Sequence, residues 1–171
     1  QQLEKFEADV NLFMVRNQRQ LNQHQFDALV SFVYNVGSAV LYNKQSNVIK
    51  AVLNGAEGNE FMYAIGQWCT AGGELLLGLL RRRMSEAYMY LNGTYSETLP
   101  GTFAYVMYDA NGGKYESRVQ GYDTNLAAVP LLVPTREGYI FTGWYTAAEG
   151  GQRVTFLDET TNGLTLYAHW E

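Results

Sequence analysis

The sequence predicts an α+β chain of two domains, an all-helical first part followed by a small sheet-forming second part. Three observations lead there. Apolar residues recur at helical spacing through residues 1–93, and all three prolines (Pro100, Pro130 and Pro134) lie beyond them. From Phe103 the period changes, with Phe103, Tyr105 and Met107 alternating against Ala104, Val106 and Tyr108. Charge divides at the same place: residues 1–93 carry eight bases and eight acids, whereas residues 94–171 carry four bases and nine acids.

The elements follow in order. Leu3, Phe6, Val10, Phe13 and Met14 mark an amphipathic helix over about residues 2–16, and the polar run Asn17–Asn22 reads as a loop. Asn22 with Gln25 three residues on resembles a capping box, opening a helix that carries Phe26, Leu29, Val30 and Val33 on one face. Gly37 is placed to end it. Val48, Ile49, Val52 and Leu53 mark a third helix ended by Gly55, and Phe61, Ile65 and Trp68 a fourth beginning near Asn59. A fifth runs from about Leu75 to Leu91, with Gly93 as its stop.

Residues 94–102 contain Ser, Pro and Gly and read as a linker. A strand over Phe103–Tyr108, the turn signal Asn111-Gly112-Gly113 and a returning strand over Tyr115–Gly121 make a hairpin. Tyr139–Tyr145 and Leu164–Trp170 are two further strands. Thr124–Pro134 holds either a short helix or an irregular crossover.

Composition bounds the function. The net charge of −5 argues against general nucleic-acid binding. No apolar run approaches the length of a membrane span. Cys69 is the only cysteine, which excludes an intrachain disulfide and leaves the compartment open. His24 and His169 have no Cys or His at ligand spacing, so neither a metal site nor any cofactor is expected.

The stretch Trp68–Arg83 organises the helical part. An Ala71-Gly72-Gly73 corner reverses the chain into the fifth helix, whose expected buried stripe is Leu76, Leu79, Leu80, Ala87, Tyr88 and Leu91. Arg81, Arg82 and Arg83 cannot all be buried with it. The expectation is two solvated arginines and one in an ion pair, with a clamp for an anion as the alternative. Asp27, Glu57, Glu60, Glu74 and Glu86 are the carboxylates that could serve a glycosidase, and nothing in their spacing marks a catalytic pair. Glu86, one turn after Arg82, reads as a surface helix pair. Trp68 reads as core or as the wall of a groove.

Two families are recognisable in these residues. Gln23-His24-Gln25-Phe26-Asp27-Ala28-Leu29-Val30-Ser31-Phe32-Val33-Tyr34-Asn35-Val36-Gly37 resembles the long core helix of phage-type lysozymes. Trp68, Ala71-Gly72-Gly73, Gly78-Leu79 and Arg81-Arg82-Arg83 followed by Glu86 resemble that family's C-terminal signature. The resemblance covers about residues 1–93 and implies the larger, helical lobe of an enzyme that hydrolyses the β-1,4 bond between N-acetylmuramic acid and N-acetylglucosamine. Leu3–Arg16 is similar to the helix joining that lobe to a smaller one. The family's catalytic glutamate lies in the smaller lobe, and no position here matches it, so no catalytic residue is expected in this chain. What the resemblance carries over is a substrate-groove wall of Tyr34, Asn35 and Trp68, with Arg82 facing the acid-bearing lobe.

Tyr108-Asp109-Ala110-Asn111-Gly112-Gly113, Gly138-Tyr139-Ile140-Phe141-Thr142-Gly143-Trp144-Tyr145-Thr146 and Leu164-Thr165-Leu166-Tyr167-Ala168-His169-Trp170 resemble the Listeria–Bacteroides repeat. That resemblance covers about residues 103–171 and implies a β-grasp-like module. Together the two imply a modular endolysin acting on the bacterial cell wall. Peptidoglycan is the expected partner, the acid-bearing lobe lies upstream or on a separate chain, and the repeat serves as a wall- or surface-binding module of unknown ligand. The alternative is a non-catalytic glycan- or surface-binding protein.

Overall fold

The computed structural model describes residues 2–126 and 129–171, which divide into two compact units, Gln1–Leu99 and Pro100–Glu171. The first contains α1 (Gln2–Arg16), α2 (Gln23–Val36), a 3-10 turn (Ser38–Tyr42), α3 (Asn47–Asn54), α4 (Gly58–Gly66) and α5 (Leu77–Asn92). A two-strand ribbon, β1 (Thr70–Ala71) and β2 (Glu74–Leu75), precedes α5.

Local sequence explains most of these boundaries. The capping box at the start of α2 is present in full: the Asn22 side chain accepts from Gln25 N at 2.9 Å and the Gln25 side chain from Asn22 N at 3.1 Å. The Ala-Gly-Gly corner is the tip of the β1–β2 ribbon. Gly72 and Gly73 both have positive φ, 60° and 82°, which a two-residue turn of this hand demands and which only glycine adopts without strain. The ribbon delays α5 to Leu77 and leaves Leu76 43% exposed, so the expected stripe shifts. Its buried positions are Leu80, Arg83, Met84, Glu86, Ala87, Tyr88 and Tyr90.

Helix α5 packs most extensively against α2 and next against α4, while α1 packs on α2. Phe13 of α1, Phe32 and Val33 of α2, Met62 of α4 and Met84 of α5 are each at most 1% exposed. Burial of each such side chain contributes about 1.5–3 kcal/mol, non-directionally. Tyr90 stacks on Phe61 at 3.9 Å between centroids, which fixes α5 against α4. Residues 94–99 belong to this unit, and Tyr95 Oη donates to Asp27 Oδ2 on α2 at 2.6 Å.

The second unit is one five-stranded sheet in the order β4-β3-β7-β5-β6, formed by β3 (Phe103–Asp109), β4 (Val119–Asp123), β5 (Phe141–Tyr145), β6 (Arg153–Val154) and β7 (Thr165–Trp170). The central pair β3–β7 is parallel and the other pairs are antiparallel, giving the β-grasp-like small sheet domain the sequence implies. Parallel strands need a crossover, and in its described residues that crossover is irregular rather than helical. Residues 127 and 128 of the expected crossover lie outside the described residues. Its chain covers the inner face of the sheet: Trp144, 1% exposed, donates from Nε1 to Leu132 O at 2.7 Å, over a core of Val106, Tyr108, Tyr122 and Leu166.

The expected second strand begins late, at Val119 instead of Tyr115. Gly113 N closes a turn onto Ala110 O, and Lys114 then pairs with Thr135 of the crossover instead of with β3. Ser117 Oγ accepts from Val119 N and donates to Val119 O, marking where the ladder resumes. The third strand starts at Phe141 rather than Tyr139, although Ile140 still exchanges backbone hydrogen bonds with Glu171.

The hairpin tip is clamped by Trp170. A Cβ at Gly113 would lie 2.3 Å from Trp170 Cζ2 and 2.8 Å from Thr135 O, and the backbone oxygen cannot swing away. Gly113→Ala should therefore destabilise the second unit by about 1–3 kcal/mol, read by residue-resolved hydrogen exchange. The helical unit should keep its protection. Gly101→Ala, with nothing within 4 Å of the new Cβ, should behave as wild type.

Candidate functional site: the α2–α5 face of the helical unit

Two helices bring the candidate residues together. On α2, Ser31 and Asn35 are one turn apart; on α5, Arg82, Arg83 and Glu86 occupy consecutive turns. The innermost arginine of the face is Arg83, which is 0% exposed. Its Nη2 donates to Asn35 Oδ1 at 2.8 Å and to Glu86 Oε1 at 3.3 Å. Its Nε lies 2.9 Å from Glu86 Oε2, an ion contact whose N–H is not aligned for a hydrogen bond. The guanidinium also lies over the Phe32 ring, 5.1 Å from its centroid.

Glu86 is 2% exposed, so the expected surface pair with Arg82 is corrected. Arg82 does reach it, Nε to Oε1 at 3.3 Å, but the main partner is Arg83, and Ser31 Oγ donates at 2.9 Å from α2. Burial lifts the Glu86 carboxyl above its ordinary range; Arg83 opposes this most, followed by Ser31 and Arg82. Burial likewise pulls the Arg83 guanidinium down, with Glu86 opposing. Of the three arginines, Arg81 and Arg82 are exposed and Arg83 is buried, and both Arg82 and Arg83 pair with Glu86, where the sequence leads one to expect a single ion pair.

The groove candidates divide. Asn35 is exposed, and its side-chain carbonyl oxygen is held by Arg83. Tyr34 is 47% exposed and meets Phe6 edge-on at 5.4 Å. Trp68 is half-buried and meets Phe32 edge-on at 5.5 Å, so it is wall and core at once. Phe32 therefore touches both Trp68 and Arg83. Arg82 lines a groove of about 590 Å³ with Arg81, Ser31, Ser85, Glu86, Met89 and the segment Tyr95–Glu97.

The sequence reading missed Ser31 and the burial of Arg83. A signal for the latter existed: Arg83 lies between Leu80 and Ala87 at helical spacing, on the apolar stripe. Chemically the face offers fixed cations, an amide and an aromatic edge, which can position a ligand, beside the Glu86 carboxylate. Among the described residues no cluster of three His, Cys, Asp or Glu side chains could hold a metal ion, and no helix is long and apolar enough to cross a membrane.

Arg83→Met tests the pair. It leaves Glu86 buried without its cation, costing about 3–5 kcal/mol near neutral pH. The unpaired carboxyl's folded-state pKa rises further above its unfolded value. Unfolding free energy then falls as pH rises between those two values, and the deficit shrinks on acidification. Chemical denaturation at several pH values should show that trend, and the double variant Arg83→Met/Glu86→Leu should recover most of the loss.

Residues 1–86 match the phage lysozyme family, and residues 105–169 match the Listeria-Bacteroides repeat domain. The chain is 39% identical over 77 residues to the endolysin of Bacillus phage B103, covering 43% of this chain and 27% of that protein. It is 37% identical over 84 residues to the endolysin of Bacillus phage PZA, covering 48% and 31%. The chain thus spans roughly a third of the length of these curated relatives. Among solved structures, the muramidase domain of SpmX from Asticaccaulis excentricus is similar at 35% identity and a TM-score of 0.45, covering 53% of this chain and 60% of that one. The endolysin from Escherichia coli O157:H7 phage FAHEc1 is similar at 32% identity and a TM-score of 0.45, covering 56% and 59%. The chain belongs to the phage lysozyme family, with a Listeria–Bacteroides repeat following its helical lobe.

Proposed function

We propose that the helical lobe, residues 1–93, forms the larger wall of the glycan groove of a peptidoglycan-cleaving endolysin. In this reading Tyr34, Asn35 and Trp68 lie against the sugar chain. Arg82 faces the carboxylates of an acid-bearing segment outside residues 1–171. The observation that carries it is the state of Glu86, which lines the same groove as Arg82 yet is 2% exposed and held by Arg83, Ser31 and Arg82. A general acid must reach the glycosidic oxygen while protonated, with a second carboxylate activating water or attacking on the other face of the sugar. In this reading no carboxylate of the lobe takes either role. The lobe's part is then to orient the glycan and to stabilise charge through Arg82.

The repeat, residues 103–171 after a connection at 94–102, holds the enzyme on the wall. Attachment raises the local concentration of glycan at the groove without adding a contact to the scissile bond. The endolysin relatives support the lytic role.

The experiment is to mix residues 1–171 with purified peptidoglycan, measuring co-sedimentation and the release of reducing ends separately. The chain should co-sediment and release none. Asn35→Ala should weaken the glycan contact about fivefold, the worth of one hydrogen bond, with thermal stability lowered because Arg83 loses an acceptor. Trp68→Ala should weaken it by a similar factor. Release of reducing ends would place the general acid within this chain, and failure to co-sediment would remove the groove assignment.

A further inference from the structure

The second unit holds a notch that the lytic reading does not use. It encloses about 580 Å³ between the hairpin residues Gly112–Lys114 and the crossover residues Thr135–Glu137. The two walls are locked together, Lys114 N donating to Thr135 O at 2.7 Å and Thr135 N to Lys114 O at 2.8 Å. The hairpin is fixed from behind by the Asn111 side chain, which donates to Ala168 O at 3.0 Å, and by Trp170 Nε1, which donates to Ala110 O at 3.0 Å.

Two cations meet at this rigid corner. The Arg136 guanidinium lies over the Tyr139 ring at 3.8 Å and beside Gly112, where a Cβ would come within 3.1 Å of its Cζ. Its hydrogen bond is a long one, Nη1 to Asn111 O at 3.4 Å, so most of the fork is held flat and unspent. Lys114 is exposed on the facing wall. The unit has eight carboxylates against four bases, yet among the described residues neither Lys114 nor Arg136 makes an ion pair. Glu137 lines the same notch and closes on neither. In an acidic module, two adjacent cations left uncompensated and pre-positioned by ring stacking and backbone pairing make a site for an external anion.

We propose that the Lys114–Arg136 notch binds a phosphodiester group of an anionic polymer, one non-bridging oxygen on the Arg136 fork and the other on the Lys114 ammonium. Arg presents paired N–H donors to such a group and Lys supplies a point charge. A carboxylate is disfavoured as ligand because Glu137, already at the notch wall, does not pair there. The site rests on the second unit alone and is independent of the lytic reading, since binding is scored without peptidoglycan.

The test is amide-resolved NMR of residues 1–171 titrated with an oligo(glycerol phosphate), and separately with polyglutamate as the carboxylate control. The phosphodiester should shift the Gly112, Gly113 and Lys114 amides saturably, more weakly as salt is added; polyglutamate should not. Lys114→Gln and Arg136→Gln should each weaken binding by about tenfold, with amides outside the notch unmoved. Lys114→Gln removes only an exposed side chain and keeps the backbone bridge, so it carries the test even where Arg136→Gln disturbs the Tyr139 stack. Absence of shifts, or shifts retained in the double variant, would overturn the site. Equal binding of polyglutamate would overturn the phosphodiester assignment.

Discussion

The ion pair buried between Arg83 and Glu86 is the constraint on which the helical unit depends. Desolvating two full charges costs several kcal/mol each, and their mutual attraction offsets this only with good geometry and further hydrogen bonds. The fold supplies both from two helices: Glu86 and Arg82 from α5, Ser31, Asn35 and the Phe32 ring from α2. Apolar burial between α2 and α5 is larger in energy but indifferent to a small slide or rotation. The polar contacts are directional, so they fix the register of the two helices. Asn35, a residue of the exposed face, is oriented from beneath by a side chain that solvent never touches.

A different device organises the second unit. Strand β7 is its clamp: it lies at the centre of the sheet, parallel to β3. Trp170 fills the space that a side chain at Gly113 would need and donates to Ala110 O. Tyr122 of β4 reaches the turn before β7, donating to Asp158 O at 2.8 Å and meeting Thr161 Oγ1 at 2.7 Å. Without those bonds the inner edge of β4 would carry a buried hydroxyl with no partner, at a cost of about 1–3 kcal/mol.

Legibility in the sequence followed the range of the interaction. The helices were readable because their determinants are local: Asn22 with Gln25, the apolar stripe of α2, and the glycines that end α2, α3 and α5. The ribbon at Gly72–Gly73 was readable as a corner but not as a ribbon, because its pairing of Thr70 with Leu75 is only two bonds deep. The strand after the hairpin was misplaced by four residues, since alternation cannot reveal that Lys114 prefers Thr135, 21 positions away, over β3. At the site, the sequence named Asn35 and Arg82 by resemblance. The apolar stripe from Leu80 to Ala87 marks Arg83 as the buried one of three identical neighbours, but it does not show its partner Asn35, 48 residues earlier.

Glu86 shows why a perturbed carboxyl is not by itself a catalytic one. A raised pKa is what a general acid needs near neutral pH, and burial gives Glu86 that property. The origin of the shift decides its use. A catalytic acid is desolvated by an apolar wall on one side and keeps its proton aimed at a substrate atom on the other. Glu86 instead has Arg83 and Arg82 at its two oxygens and Ser31 donating from α2, at 2% exposure. Protonating it would set a proton among donors, with no acceptor in line, and would strip Arg83 of its counter-charge. The group holds a helix pair together and sets Arg83 under Asn35.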